Sequence, residues 1–466
     1  MSEDLRTARR PFVAPRFRPR TRRRETVLLI LVAIILTVGS VSLSATERVA
    51  AGQPILLVPA DPRALAVYLG LLAAVHVAQI VAGRRTDQIL LPAVGLLGGI
   101  GLLLMERLPQ GLVSQEFGGT TLGLGQLQLA WLCIALVVIG VLAVAVRSDA
   151  WLRLYKYTWA AAGIGLLVLT VLFGVDVNGE RLSLRIGPLS GQPSELLKVI
   201  LVVFLAGYLS ENRRLLVEED TRVGPLRLPP LPYLAPMLAM LAMALGVVVI
   251  QRDLGAALLF FAVFLLLLYV ATGRLSAVAI GLVLFIVGAA SLYHVVPTVQ
   301  ERVDIWLNPF ADPTGAGYQI VQALHAFARG GIVGTGLGAG LPLIGGQLPI
   351  PAVETDFPFA ALGEELGLAG ILAILGLYFV VIERGLRIAA AAPDEFRAIL
   401  AAGLSLVIGV QAFIIAAGNL KLIPLTGITL PFISYGGSSL LANAIVVGLL
   451  LAVSDRGTEA PAAATR

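Results

Sequence analysis

Long apolar runs recur along the whole chain and restrict its fold more than any other feature. Each run is near the ~20 residues that an α-helix needs to cross a bilayer. Only 14% of the residues are charged, against about 25% in soluble globular chains. Twelve runs are apparent: 27–44, 64–82, 88–106, 127–146, 155–175, 194–209, 233–249, 254–271, 275–296, 358–382, 395–417 and 435–453. Helices and closed barrels alone satisfy their backbone in lipid. We therefore predict an all-α polytopic membrane protein with about twelve spans.

Composition excludes several classes of site. The single cysteine, Cys133, rules out an internal disulfide and any multi-cysteine metal site. The three histidines, His76, His294 and His325, are too scattered to predict a histidine metal cluster. A net charge of +5 over 466 residues is not a signal for nucleic acid, so no nucleic-acid partner is expected.

The chain divides into one membrane domain and two tails. Nine arginines lie among prolines in residues 1–24, which is typical of a disordered cytoplasmic tail that fixes topology. A cleaved signal peptide is the alternative, but no A-x-A-like site follows and the first span is long for one. We assign residues 1–26 to the basic tail, 27–453 to a single transmembrane domain, and 454–466 to a short cytoplasmic tail.

The distribution of basic residues predicts which side each loop faces. With the amino terminus inside, every even-numbered connection carries at least one lysine or arginine, as the positive-inside rule requires. Both termini are then cytoplasmic in the cell membrane. The opposite, extracytoplasmic face receives the loops 45–63, 107–126, 176–193, 250–253, 297–357 and 418–434.

The unusual sequence lies in these outer loops, so we expect the active site outside. The loop at 297–357 has about sixty residues, and loops of that length tend to be functional or disordered. Its apolar pattern near 317–328 predicts a helix along the outer membrane surface. The chain has no nucleotide-binding motif, and no nucleotide cofactor is expected. A substrate must therefore bring its own leaving group, through the membrane.

Asp356 is the first candidate catalytic residue. Pro358 follows it, so one interpretation is that Thr355 or Asp356 caps a helix with proline in its first turn. The other is a general base at the water–membrane boundary, where partial desolvation raises the pKa of a carboxylate toward the working range.

Four charged residues in two spans are candidates for a buried network. Glu364 and Glu365 follow about 12 Å further along the helix and need a cation at that depth. Lys198 is the predicted partner, with Glu195 on the same face of its helix. The network has two interpretations, cross-bracing of two spans and substrate binding.

Outer cations form the next group of candidates. A pyrophosphate ligand requires such charges, preferably arginines; contact with lipid headgroups is the alternative. Asp253, beside Arg252, is either a helix cap or a residue that orders the arginine. The cations selected are Arg181, Arg185, Arg252, Arg302, Arg329 and Lys421.

Two glycine-rich runs are weak signals alone. Small residues permit close helix packing in membranes. The run "GGIVGTGLGAG" could also expose backbone N–H groups to an anion. The second run, "SYGGSSLLAN", contains Ser438, which we include among the candidate substrate-binding residues.

Together these motifs indicate a protein family far more specifically than any one of them does alone. The chain resembles the SEDS family (shape, elongation, division and sporulation), whose members include RodA, FtsW and SpoVE. The resemblance covers about residues 178 to 453 and rests on seven stretches in family order: "NGERLSLRIG", "QPSELLKVILVVFLAGYLS", "QRDLGAALL", "RVDIWLNPFADPTGAGYQIVQALHAF", "GGIVGTGLGAG", "TDFPFAALGEELGLAG" and "LIPLTGITLPFISYGGSSLLANAIVVGLL".

The resemblance implies a peptidoglycan glycosyltransferase that polymerises lipid II outside the cytoplasmic membrane and pairs with a class B penicillin-binding protein. It implies that the aspartate of "TDF", here Asp356, is catalytic. The family usually has ten spans, and the two additional ones at the start resemble RodA-like members. Three departures concern local contacts: Ser183 after Arg181 instead of an aromatic residue, Arg252 where proline is usual, and Glu354 where histidine is common.

These inferences give one predicted reaction. The donor would be a glycan on undecaprenyl pyrophosphate and the acceptor a sugar 4-hydroxyl of lipid II, with a Mg²⁺ or Mn²⁺ ion as a candidate cofactor. The alternatives are a flippase for the lipid-linked precursor and a scaffold that only recruits a synthase. A transporter should place its polar site near the midplane, often between repeats; no repeat is apparent, and the polar residues cluster outside.

Overall fold

A computed structural model describes residues 21–117, 120–177, 180–186, 189–218, 221–223, 226–228, 231–341 and 348–455. Eleven helices in these ranges are long and apolar enough to cross a membrane, and a shorter apolar helix ends the series. The predicted all-α membrane domain with about twelve spans is thereby confirmed. The helices are α1 Arg23–Ala50, α2 Pro62–Val81, α3 Leu90–Arg107, α4 Leu124–Ala145, α5 Ala150–Leu154, α6 Lys156–Phe173, α7 Pro193–Glu218, α8 Leu231–Ile250, α9 Leu254–Thr272, α10 Leu275–Val295, α11 Pro297–Leu307, α12 Tyr318–Gly330, α13 Pro358–Ala390, α14 Glu395–Asn419 and α15 Gly437–Val453.

Short antiparallel strands occur only in connections between helices within the described ranges. They form one three-stranded sheet, β3-β4-β5, and two hairpins, β1-β2 and β6-β7. The strands are β1 Gln115–Phe117, β2 Thr120–Leu122, β3 Val175–Val177, β4 Glu180–Ile186, β5 Leu189–Gly191, β6 Thr221–Val223 and β7 Leu226–Leu228.

Helix α14 lies at the centre of the bundle. It packs against α13 on one side and against α7 and α9 on the other. Helix α15 packs against α4 and α7. Helix α10 lies at the periphery, where most of its side chains are exposed, as expected for a helix that faces lipid. This arrangement places α14 between α7 and α13.

The first two helices attach to α3 through glycines. Tyr68 of α2 donates a hydrogen bond from its hydroxyl to the carbonyl of Gly95 at 2.7 Å. A Cβ at Gly99 would lie 2.2 Å from the side chain of Leu36 in α1. Small residues allow this close approach of helices in a membrane.

The basic tail ends earlier than predicted. Helix α1 begins at Arg23, and the side chain of Arg22 is buried, with 2% exposed, in an ion pair with Glu25. Burial of the arginine requires this partner because an unpaired charge in the bundle is costly. Residues 1–20 and 456–466 of the predicted tails lie outside the described part of the chain.

The outer loop at 297–357 has defined structure in its described part. It contains α11, a 3₁₀ turn at Pro309–Ala311 and α12, so the predicted helix near 317–328 is confirmed. Helix α12 packs against the start of α13, where the rings of Phe327 and Phe359 meet edge to face, 6.0 Å between centroids. Its position along the membrane surface stays a prediction.

Helix α13 is broken at Gly367, which has φ +67°. The break leaves backbone groups without helical partners, and a bilayer offers none. The glycine-rich segment 331–336 supplies them: Thr335 and Gly336 donate to the carbonyls of Glu364 and Glu365 at 2.9 and 3.0 Å. The run that was predicted to pack closely or to bind an anion therefore uses these amides to satisfy the broken helix.

Candidate active site

Asp356 lies in the turn immediately before α13. Its backbone N–H donates to the carbonyl of Ala352 at 2.9 Å, and its carbonyl accepts from the side chain of Asn419 at 2.9 Å. The residue that caps α13 is Phe357, and no side-chain cap hydrogen bond is present there. The interpretation of Asp356 as a helix cap is therefore wrong. Its carboxylate remains available for chemistry.

The carboxylate of Asp356 faces a cavity of about 300 Å³. The walls come from α11, the start of α12 and the segment after α14, so two connections between helices enclose the cavity together. Besides Asp356, the polar lining consists of Thr298, Glu301, Arg302, Trp306, Gln319 and Lys421.

Gly427 gives the cavity its depth next to Asp356. Its φ is +72°, a conformation that favours glycine. A Cβ at this position would lie 3.9 Å from Oδ2 of Asp356. Because glycine has no side chain, open space remains beside the carboxylate, and a reacting group could occupy that space.

The two cations of the cavity are held by backbone carbonyls. Arg302 donates to the carbonyl of Thr426 at 3.1 Å. Lys421 donates to the carbonyl of Leu307 at 3.4 Å, while Trp306 donates from Nε1 to the carbonyl of Lys421 at 3.2 Å. These bonds fasten α11 to the segment that carries Gly427. They involve neutral acceptors and leave both positive charges directed toward the cavity.

The surroundings of Asp356 raise its pKa to about 6. Burial is the main cause, and the neighbouring carboxylate of Glu354 adds to it. A hydrogen bond from Thr355 and the charge of Arg302 act in the opposite direction. A carboxyl group with this pKa is ionised near neutral pH yet basic enough to accept a proton from a hydroxyl group.

Asp253 caps helix α9, which confirms one of its two interpretations. Oδ1 accepts from the backbone N–H of Ala256 at 3.0 Å, and Oδ2 accepts from Gln192 and Ser194 at 3.0 and 3.1 Å. It thus joins the starts of α9 and α7. Arg252 beside it is exposed, with φ +63°. Whether Arg252 binds substrate stays a prediction.

The segment at Arg252 and Asp253 adjoins the cavity. A Cβ at Gly255 would lie 2.8 Å from the carbonyl of Thr426, the same residue that positions Arg302. The start of α9 is therefore packed directly behind the wall that contains Gly427.

Lys198 does not pair with Glu364 or Glu365, and the predicted network between the two spans is wrong. Its ammonium group donates to Glu195 on its own helix at 2.6 Å, to Gln411 at 2.7 Å and to Asn443 at 3.0 Å. The reason is that α14 lies between α7 and α13 and supplies Gln411. All three donors of Lys198 are occupied, which favours a structural role over contact with pyrophosphate.

The two glutamates of α13 have arginine partners instead. Glu364 accepts a bidentate pair of hydrogen bonds from Arg329 of α12 at 2.9 and 3.1 Å. Glu365 forms an ion pair with Arg107 at the end of α3, at 2.5 Å. Arg107 also donates to the carbonyl of Gly340. These pairs brace α13 against α12 and α3, and not against α7 as the cross-bracing interpretation had it. A role of the two glutamates in substrate binding stays a prediction.

The remaining candidates lie near these elements. Ser438 is half-buried in the first turn of α15. Arg181 lies in β4, but its side chain and that of Arg185 are outside the part that the structure describes. Their predicted contacts with substrate stay predictions.

Several site residues were not selected from the sequence. Asn419, Gln411 and Gly427 are uncharged and lie in apolar or glycine-containing stretches, where nothing local marks them as functional. Glu301 directly precedes Arg302 in an amphipathic helix, and this neighbouring position could have indicated that Glu301 belongs to the site. Arg107 directly follows an apolar span, a position where a basic residue is typical and does not indicate a functional site.

The comparison with known families decides where this chain belongs. The model of the cell cycle protein family of FtsW, RodA and SpoVE matches residues 87–459. This chain is a member of that family. Helices α1 and α2 precede the matched region, in agreement with the two additional helices predicted.

Named relatives of this FtsW/RodA/SpoVE member are similar over most of its length. The peptidoglycan glycosyltransferase RodA of Mycobacterium tuberculosis is 42% identical over 390 residues, which cover 83% of this chain and 82% of the relative. The probable peptidoglycan glycosyltransferase FtsW of Nitrosococcus halophilus is 37% identical over 398 residues, 83% of this chain and 97% of the relative.

Solved structures share the fold. A chain from a peptidoglycan synthase complex matches with a TM-score of 0.61 at 26% identity, covering 79% of this chain and 98% of its own length. The rod shape determining protein RodA of Thermus thermophilus matches with a TM-score of 0.52 at 25% identity, covering 79% and 97%. The fold and the relatives together indicate a multi-pass protein of the cytoplasmic membrane.

The pair of Arg107 and Glu365 provides a test of the bracing. Removing one member leaves the other charge buried, so Arg107→Gln should lower the free energy of unfolding by about 3–5 kcal/mol. The double variant Arg107→Gln/Glu365→Gln leaves no buried charge and should recover most of that loss. Thermal unfolding in detergent measures both. An equal loss in the single and double variants would show that the two side chains are not coupled.

Proposed function

We propose that this protein is a peptidoglycan glycosyltransferase that polymerises lipid II into glycan strands. The observation that carries the proposal is the carboxylate of Asp356, with a pKa of about 6, in a cavity that also contains two cations at the end of a membrane bundle. A base and cations in one cavity suit transfer of a sugar from a pyrophosphate. The names of the relatives support the same activity.

The reaction follows from the placement of these groups. The 4-hydroxyl of lipid II attacks the anomeric carbon of the donor glycan, and Asp356 accepts the hydroxyl proton as the new glycosidic bond forms. The bond between the anomeric carbon and its phosphate oxygen breaks, and undecaprenyl pyrophosphate leaves with that electron pair. Arg302 and Lys421 stabilise the negative charge that develops on the leaving group. The energy comes from the anomeric phosphate bond, so the step requires no nucleotide.

Residues beside Asp356 fit a divalent cation bound together with the pyrophosphate. Mg²⁺ is held by oxygen ligands, commonly one or two carboxylates plus substrate phosphates and water. The cavity is lined by the carboxylates of Asp356 and Glu301. Asn419 and Thr426, whose Oδ1 and Oγ1 have no partner among the described residues, are next in sequence to lining residues and are not part of the lining. Glu301 would hold Mg²⁺ or Mn²⁺ together with water and the substrate phosphates, and the ion when bound would neutralise charge on the pyrophosphate, while Asp356 stays free to act as the base.

The proposal places Asp356 on the extracytoplasmic side and both termini in the cytoplasm. Twelve helical segments return the chain to its starting side, and the positive-inside rule puts the nine arginines of residues 1–24 there. The lipid anchors of donor and acceptor explain why a polymerase would build its site at the boundary of the bilayer.

A class B penicillin-binding protein is the proposed partner. The support is the structural match to a chain from a peptidoglycan synthase complex. Similarity to RodA at 42% identity, against 37% for FtsW, favours a role in cell elongation over division.

Fluorescent lipid II and the purified protein test the activity. We expect wild-type protein to form polymer and Asp356→Ala to lose it by about 10²–10⁴-fold, the usual contribution of a general base. The matched control is Asp304→Asn, which removes an exposed carboxylate of α11 that accepts from Tyr293, outside the cavity wall; it should polymerise normally. Lipid scrambling without polymer would instead support the flippase, and neither activity would support the scaffold.

The pH profile tests the role of Asp356 separately. A base must be ionised, so kcat/KM should rise through pH 6 and level off above it. Arg302 lowers and Glu354 raises the pKa of Asp356. Arg302→Gln should therefore move the rising limb to higher pH, and Glu354→Gln should move it to lower pH. Shifts in the same direction in both variants would contradict the assignment.

A further inference from the structure

A second large cavity lies at the end of the bundle opposite Asp356. It has a volume of about 700 Å³ and is bordered by the connection between α2 and α3 and by the ends of α13, α14 and α15. Arg384, at its wall, follows the break at Gly367 by 17 residues, about 25 Å at 1.5 Å per helical residue. The charged lining consists of Arg24, Arg85, Arg384, Arg387, Arg397, Asp87 and Asp455.

The additional helix α1 holds one wall of this cavity. The guanidinium of Arg22 donates to the carbonyls of Arg84, Thr86 and Asp87 at 3.3, 3.2 and 3.0 Å. Glu25, fully buried, neutralises Arg22. The connection between α2 and α3 is therefore held in one shape by a buried ion pair that lies outside the region matched by the family.

Two arginines of the cavity are fixed in place by aspartates. Arg384 donates from Nε to Asp87 at 3.0 Å. Arg397 donates to both carboxylate oxygens of Asp149, at 3.0 and 2.9 Å. Their side chains are three-quarters or more buried, so these guanidinium groups are already ordered before any ligand arrives.

Two other arginines are available to a ligand. Arg24 and Arg85 are exposed, and their guanidinium groups have no partner among the described residues. The other charged lining residues have ion partners: Arg384 pairs with Asp87, Arg397 with Asp149, Arg387 with Glu383 and Asp455 with Arg84. Arg24 and Arg85 therefore leave an excess of two positive charges at the cavity. Such an excess requires an anion with more than one negative charge to balance it.

The apolar part of the lining indicates how that anion arrives. Ile89, Ile388 and Val453 border the cavity where three spans end. Basic pockets between transmembrane helices on the cytoplasmic side bind phospholipid head groups that carry several charges. A free phosphate has no group that would contact these side chains.

We propose that this cavity binds the head group of an anionic phospholipid with two phosphates, in the leaflet opposite the one that Asp356 faces. Arg24 and Arg85 contact the phosphates, Arg384 and Arg397 form a wall that Asp87 and Asp149 hold in place, and Ile89 and Ile388 contact the glycerol and upper acyl chains. The bound lipid would link α1 to the ends of α13 and α15. The proposal concerns a lipid site and does not depend on the polymerase activity.

Titration of cardiolipin into the delipidated full-length protein in detergent, read by native mass spectrometry, tests the proposal. We expect one cardiolipin to bind per chain, and Arg24→Gln/Arg85→Gln to weaken it about thirty-fold, since a basic residue near the membrane surface contributes about 1 kcal/mol each. The matched control, Arg23→Gln/Arg214→Gln, removes two exposed arginines from the same membrane face, outside this cavity, and should leave the affinity unchanged.

Two comparisons decide the chemistry of the ligand. Phosphatidylglycerol, with one phosphate, should bind more weakly than cardiolipin at equal total charge, and inorganic pyrophosphate should fail to displace cardiolipin. Equal loss of cardiolipin in the two double variants would overturn the proposed site. Equal binding of phosphatidylglycerol would overturn the requirement for two phosphates, and displacement by pyrophosphate would overturn the assignment to a lipid.

Discussion

Every charged side chain inside a membrane bundle must find a counter-charge or a set of hydrogen bonds, because the bilayer offers no water to solvate it. The structure meets this requirement three times at the end of the bundle that contains Asp356. Lys198 is neutralised by Glu195, Glu364 by Arg329 and Glu365 by Arg107. Each pair joins two parts of the chain or orders one helix end. The outer loop and the broken helix α13 depend on these pairs for their position.

Asp356 has no counter-charge of this kind, and this gives the site its chemistry. It is half-buried, and its backbone is tied to Ala352 and Asn419, but no ion pair among the described residues neutralises its carboxylate. Arg302, held by a carbonyl, lowers the pKa without cancelling the effect of burial. A carboxylate without an ion partner in a rigid frame is thus basic enough to take a proton, while the ion-paired carboxylates remain structural.

The number of spans and the position of Asp356 could be predicted because both depend on local sequence: apolar run length for the spans, and the "TDF" stretch before Pro358 for the aspartate. The partner of Lys198 could not be predicted, because it depends on which helix lies next to α7, and that helix is α14. The break at Gly367 was missed for a similar reason. Its stability comes from hydrogen bonds to Thr335 and Gly336, thirty residues earlier in the chain.

The side of the membrane that Asp356 faces is the claim on which the account of its chemistry rests. Cys133 is the only cysteine, so Cys133→Ala/Asp356→Cys carries a single thiol at the site. A membrane-impermeant maleimide applied to intact cells that express this variant should label it, and lipid II added to the purified protein should slow the labelling. Labelling only after the membrane is permeabilised would place the site on the cytoplasmic side and contradict the account.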